Sequence, residues 1–182
     1  MIAAIVPSGV CRFERRRPRY RARTGSASVI GAKTNSAPTG QEEAMADSIR
    51  KLDYFAASVA NKRGEGARVL QALGAEGVNL VAFTGFPSGG GKAQLDFVPE
   101  NAASFAAAAA RIKLKLRGPK AVFVIQGDDR PGAIASLAKR LADAKIGITA
   151  IDAASAGNGR YSAMLWVKAK DVEQAARVLG AV

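Results

Sequence analysis

The sequence predicts an α+β chain built of two units, each running strand–helix–strand–strand–helix–strand, with antiparallel sheets and helices on one face. Three observations carry this. A strand running into a glycine-containing loop that opens a helix occurs twice, at Ala56–Ala67 and at Val122–Ala133, roughly 67 residues apart. The same order of strand and helix periodicities follows each copy. With 182 residues, 48% of them hydrophobic, the chain is long enough to fill two small cores.

In the first unit, Leu52–Ala60 reads as a strand. Gly66–Ala75 forms a short helix with Val69, Leu70 and Leu73 on one side, ending near Gly77. Val78–Thr84 is an apolar strand and Gly85–Gly91 a hairpin loop. Lys92–Val98 alternates Lys92, Gln94 and Asp96 with Ala93, Leu95 and Phe97, the mark of a strand with one wet face. Pro99-Glu100-Asn101 opens an alanine-rich helix carrying Phe105, Ala108, Ala109 and Ile112 at helical spacing. Lys113–Arg117 suits a short edge strand whose lysines discourage stray pairing, and Gly118-Pro119 breaks the chain.

The second unit repeats the order. Val122–Gln126 is its first strand, and Ile134, Leu137, Ala138 and Leu141 line one face of its first helix. Ile146–Ala154 and Arg160–Val167 are strands joined by the turn Gly157-Asn158-Gly159. The last helix keeps Val172, Ala175, Ala176 and Leu179 in phase, with Asp171 and Gln174 placed as a capping pair. Only about three residues follow it, too few for a full final strand. The second unit's first strand is therefore expected at an open sheet edge, which argues for a homodimer. The domains are read as 49–118 and 119–182.

Residues 1–48 show neither periodicity and mix Arg, Ser, Thr, Gly and Pro, the composition of a disordered tail. Three explanations compete: a true start at Met45, an Arg- and Ser-rich organelle leader, or a basic arm for nucleic acid. The net charge is +12, of which residues 1–44 contribute eight bases against three acids, and the remainder 19 against 12. There is one cysteine, Cys11, and no histidine. An internal disulfide is thereby impossible, and a reducing cytoplasm is expected. No apolar run approaches the ~20 residues of a membrane span. Nucleophilic, zinc and histidine-based acid–base chemistry all lack their usual residues, so no catalysis, metal or cofactor is expected.

The element order is the ferredoxin-like arrangement, which hosts many functions. More telling are Asp129-Arg130-Pro131-Gly132-Ala133-Ile134, then Leu141–Ile148 and Ile151-Asp152. These resemble ACT domains, small modules that bind amino acids and regulate metabolic enzymes. Gly77-Val78-Asn79-Leu80 resembles the family's entry into its second strand. Lys145 and Gly147 stand where the family prefers Gly and Asn, and the first loop lacks the Asp and the Pro. The resemblance covers about residues 50–180 and implies a tandem ACT-domain protein, with a metabolic enzyme as a possible partner.

The candidate site follows from the loops. A helix N-terminus presents free backbone N–H groups, which suit a small carboxylate. Pro131 fits the first helical position, where no N–H is needed, and Gly132 permits close approach. The N–H groups of Gly132, Ala133 and Ile134 would receive the carboxylate, with Asp128 or Asp129 answering the ammonium beside Arg130. In the first unit the matching residues are Asn61, Arg63, Gly64 and Gly66. The resemblance implies that a polar residue such as Asn79, on a neighbouring unit's second strand, closes the pocket.

Two other readings stand beside this one. The RNA-recognition motif shares the topology, and Trp166 and Phe123 on one open sheet face would make a base-stacking platform. A pure interaction subunit would need no ligand at all. Ser88-Gly89-Gly90-Gly91-Lys92 is set aside as a phosphate loop, because Phe86 stands where glycine is required and a strand follows.

Overall fold

The computed structural model describes residues 47–182, and the readings made for residues 1–46 lie outside them. Six strands and four α-helices follow in the order β1 (Ser48–Ala60), α1 (Glu65–Ala75), β2 (Leu80–Gly89), β3 (Lys92–Pro99), α2 (Ala102–Arg111), β4 (Leu116–Asp128), α3 (Ala133–Asp143), β5 (Ile148–Gly157), β6 (Arg160–Val167) and α4 (Val172–Leu179). A 3₁₀ turn, Ala169–Asp171, leads into α4. All the strands form one antiparallel sheet in the order β2-β3-β1-β4-β6-β5, with the helices on one face. The α+β arrangement read from the sequence holds.

The repeat is tighter than the sequence spacing suggests. Each element from β4 to β6 begins 68 residues after its counterpart. The sheet order is likewise symmetric: β1 and β4 lie at the centre, flanked by β3 and β6, then by β2 and β5.

Strand alternation divides the apolar residues between two faces. Beneath α1 and α2 lie Phe55, Ala57, Val59, Leu95 and Phe97, packed with Val69, Leu73 and Phe105. Beneath α3 and α4 lie Ile49, Phe123, Ile125 and Leu165, packed with Leu137, Leu141 and Leu179. The neighbouring positions Val98, Val122, Val124 and Trp166 form a third cluster on the other face, with Leu52, Tyr54 and Met164 against it. Phe123 and Trp166 therefore sit on opposite faces and make no joint stacking platform.

Several expectations need correction. Gly118-Pro119 does not break the chain: β4 runs through it from Leu116 to Asp128. Tyr54 pairs with Lys120 and Ala56 with Arg117, so β4 carries one extra residue there. Such a bulge tolerates a proline, because the ladder is already interrupted. Lys113–Arg117 is accordingly no edge strand. The boundary read at 118/119 falls inside this strand, and the one at 49 falls inside β1. β2 also runs on to Gly89, which shortens the expected hairpin loop.

The front half of β1 changes the topology most. Ser48–Tyr54 pairs with Gln126–Lys120 of β4, while Phe55–Ala60 pairs with β3. On its other flank β4 pairs with β6. The second unit's first strand is thus covered on both sides, and the edge-strand reason for a dimer falls away. β1 itself takes the fourth-strand place of the second unit, and Val182 bonds its outer flank at Ile49 and Lys51 (both 3.0 Å). The outermost strands among the described residues are β2 and β5.

Asp96 departs from the wet face assigned to it and is 6% exposed. Gln94 Nε2 donates to its carboxylate at 3.0 Å, and Arg117 in turn donates to Gln94 Oε1 at 2.9 Å. Asn101 caps α2 by accepting from the Ser104 N–H at 2.9 Å. Asp171 makes no side-chain cap on α4; Gln174 instead donates to the Ala144 carbonyl at 3.4 Å.

Candidate functional site

The loop from β4 into α3 is a turn before it is a helix start. The Ala133 N–H donates to the Arg130 carbonyl at 3.1 Å, and Gly132 has φ 85° and ψ 4°. That is the third position of a type II turn, which favours Pro before it and Gly at it. Pro131 therefore precedes the helix instead of opening it, and α3 begins at Ala133. The same turn closes the first unit's loop. Glu65 N–H meets the Lys62 carbonyl at 3.2 Å, with Gly64 at φ 83° and ψ −12°.

The turn decides which donors remain. Ala133 has used its N–H, contrary to expectation. Those of Gly132, Ile134 and Ala135 meet no acceptor among the described residues; Ser136 N–H returns to the Gly132 carbonyl at 2.9 Å.

An open cleft of about 400 Å³ lies against this turn. Asp129, Arg130, Gly132, Ala133, Ile134 and Ala135 form one wall; Ala153, Ala154 and Ser155 of β5 and Tyr161 of β6 form the other. Five of the residues singled out in the sequence thus share one cavity. Asp129 is further held by its N–H, 2.7 Å from the Gly159 carbonyl. Asp128 does not join them: it forms an ion pair with Arg160 across the β4–β6 ladder.

Tyr161 escaped the sequence reading, which placed it only within the Arg160–Val167 strand. It is 4% exposed, and its hydroxyl is buried without a hydrogen-bond partner of good geometry among the described residues. Burial pushes the phenol pKa up, as does the neighbouring Asp47 carboxylate, while Arg130 and Arg160 pull it down. Asp47 stands beside the hydroxyl and raises its pKa by hydrogen bonding as well as by charge, although the contact does not meet strict hydrogen-bond geometry. An orphaned buried hydroxyl costs about 1–3 kcal/mol, which a polar partner from a ligand would relieve. The hydroxyl therefore joins the α3 N-terminus as an independent mark of a binding site.

The first unit's loop differs in chemistry. Asn61 N–H bonds the Gly91 carbonyl at 2.9 Å, and Gly66 lies in the first turn of α1. Arg63 is exposed. The helix start already carries a carboxylate, Glu65, paired with Arg68 at 2.6 Å, and that bond lowers the Glu65 pKa. Ala93 occupies the place that Tyr161 holds in the second unit. Asn79 lies at the opposite end of the molecule's sheet from the cleft, just before β2, and its amide donates to Glu100 at 3.0 Å. It lines no part of the cleft; in this chain the closing strand is β5.

Among the described residues no His, Cys, Asp and Glu cluster is suited to a metal ion. No described helix is long and apolar enough to cross a membrane.

Solved structures of similar fold include protein BT0572 from Bacteroides thetaiotaomicron, at 18% identity and TM-score 0.62, covering 74% of this chain and 88% of that one. The regulatory subunit of aspartate kinase from Thermus thermophilus, in its ligand-free form, has 18% identity and TM-score 0.53, covering 76% and 97%. Aspartokinase alpha and beta subunits have 18% identity and TM-score 0.52, covering 75% and 95%. These structural neighbours are ACT-domain proteins, and the chain has their fold. No protein-family model matches the chain, and no curated protein is similar to it in sequence.

Proposed function

We propose that this chain is a non-catalytic regulatory module that binds one small amino acid in the cleft between the α3 turn and β5. The observation that carries the reading is the pairing of unspent donors with an orphaned hydroxyl around one cavity. The Ile134 and Ala135 N–H groups receive the α-carboxylate, aided by the positive end of the helix. Asp129 answers the ammonium, since Asp128 is neutralised by Arg160. The first unit's loop binds nothing equivalent, because α1 opens on an acidic residue, Glu65, whose charge opposes a second carboxylate at that helix start. One ligand per chain follows.

Regulation is then a matter of linkage. A ligand spanning the β4–α3 turn and β5 favours whichever arrangement holds those elements together, and a partner that prefers that arrangement binds more tightly. The likeness in fold to the Thermus thermophilus aspartate kinase regulatory subunit supports a metabolic enzyme as the partner.

A thermal-shift screen of the full chain against the twenty amino acids tests this. A rise of several degrees with one or two of them is expected, and it should disappear in Gly132→Val. Nothing lies within 4 Å of a Cβ placed at Gly132, and only its φ of +85° opposes a side chain. The variant should therefore fold with a distorted turn. A flat panel on folded protein would reject the reading in favour of a ligand-free interaction subunit.

A further inference from the structure

We propose that the end of the sheet opposite the cleft binds single-stranded nucleic acid, holding its phosphates with a group of unpaired cations and stacking a base on Phe86. The proposal stands independently of the amino-acid cleft.

β1 ends between the starts of β3 and β4: Ala60 pairs with Lys92 and Ala57 with Leu116. Lys62 and Arg63 follow β1 in the loop, and Lys113 and Lys115 lead into β4, with Arg117 just inside it. Leu114 and Leu116 pack against the core under α1 and α2, so the cations alternating with them point away from it. All six cations are exposed, and none forms an ion pair among the described residues. No acidic residue occurs between Asn101 and Gly127, where five bases do. Two carboxylates lie close enough to feel Lys62 and Arg117, but both are engaged. Glu65 is paired with Arg68, and the buried Asp96 accepts from Gln94.

The repeat shows how this charge arises. Ala60 opposite Lys92 stands where the second unit has Asp128 opposite Arg160, and Asn61 stands where it has Asp129. Arg160 is neutralised by its ion pair; Lys92 has lost the acid that would do the same.

An exposed aromatic beside these cations selects the partner. Phe86 is 45% exposed and lies opposite Gln94 on β3, so the two share a face of the sheet. Arg117 donates to that Gln94 at 2.9 Å. The exposed tip Gly89-Gly90-Gly91 beside the ring carries no side chains to shield it. A single strand offers both a chain of phosphates for the cations and base faces for the ring. An acidic peptide offers only the charge, and in a duplex the base faces are already stacked.

Fluorescence anisotropy of the full chain with labelled rU and dT 15-mers, a duplex of that length and a Glu 15-mer tests this across a salt series. Residues 1–44 carry eight bases of their own, so variants decide the outcome. The single strands should bind more tightly than the duplex or the peptide. Lys62→Glu, Lys92→Glu and Lys115→Glu together should weaken single-strand binding at least tenfold. They should also flatten its log–log salt slope by about 2, at roughly 0.7 per cation engaged. Phe86→Ala should weaken it about tenfold with the slope retained, and both variants should keep the parent melting temperature. Tighter binding by rU than by dT would identify RNA as the natural strand, and the reverse DNA. Single-strand affinity unchanged in the triple variant, or equally tight binding of the Glu peptide with no effect of Phe86→Ala, would overturn the proposal.

Discussion

Asp96 shows how a single side chain records its surroundings. Burial raises its pKa, and the Gln94 hydrogen bond and the charges of Arg117 and Lys120 do not cancel that effect. A carboxyl that holds its proton more tightly folded than unfolded adds stability below its ordinary pKa of 3.8. That contribution is lost as pH rises through the raised folded value. Asp96→Asn should therefore be more stable than the parent at pH 7, with the difference closing below pH 3.8; urea denaturation across that range reads it directly. A constant difference at every pH would show that packing, not ionisation, governs the site. The burial itself was not legible in the sequence. Lys92, Gln94 and Asp96 alternate as a solvated face would, and only the pairing of β3 with β1 places Asp96 opposite Ala56.

Among the elements, β4 carries the sharpest constraint. Gly118 has φ +132°, and a Cβ there would lie 2.9 Å from the Tyr54 carbonyl oxygen. Both the backbone conformation and the neighbouring strand oppose any side chain. Gly118→Ala should cost about 1–3 kcal/mol by chemical denaturation, and an unchanged midpoint would mean the bulge can relocate. The helices were readable from their 3.6-residue spacing: Leu73 and Leu141 are buried as their periodicity predicts. The Asp-Arg-Pro-Gly loop was readable as a glycine-dependent helix entry. What escaped were partners distant in sequence, such as Arg160 for Asp128, Asp47 beside Tyr161, and a bulge that accommodates Pro119. Local pattern specifies how a segment folds but not which strand lies beside it.

At the scale of the molecule, the two repeats are not separable. β1 completes the sheet of both, and the described residues 47–182 fall within one compact unit. A fragment of residues 116–182 lacks the strand beside Lys120–Gln126, so the apolar flank of β4 is left unpaired. It should remain unfolded by circular dichroism, whereas residues 44–182 should melt in one cooperative transition. A fragment with a cooperative melt of its own would show that β1 is dispensable to the second half.

That sharing also imposes an order on biosynthesis. β1 and β4 can pair once both have left the ribosome, but β6 ends only at Val167. For about 2–8 s, at synthesis rates of about 5–20 residues per second, the Val122–Ile125 stretch waits with one flank bare. It is among the most apolar segments of the chain, and unpaired edges of that kind attract other nascent chains. The nascent protein therefore passes through an aggregation-prone form late in synthesis, and any condition that slows elongation between β4 and β6 lengthens that exposure.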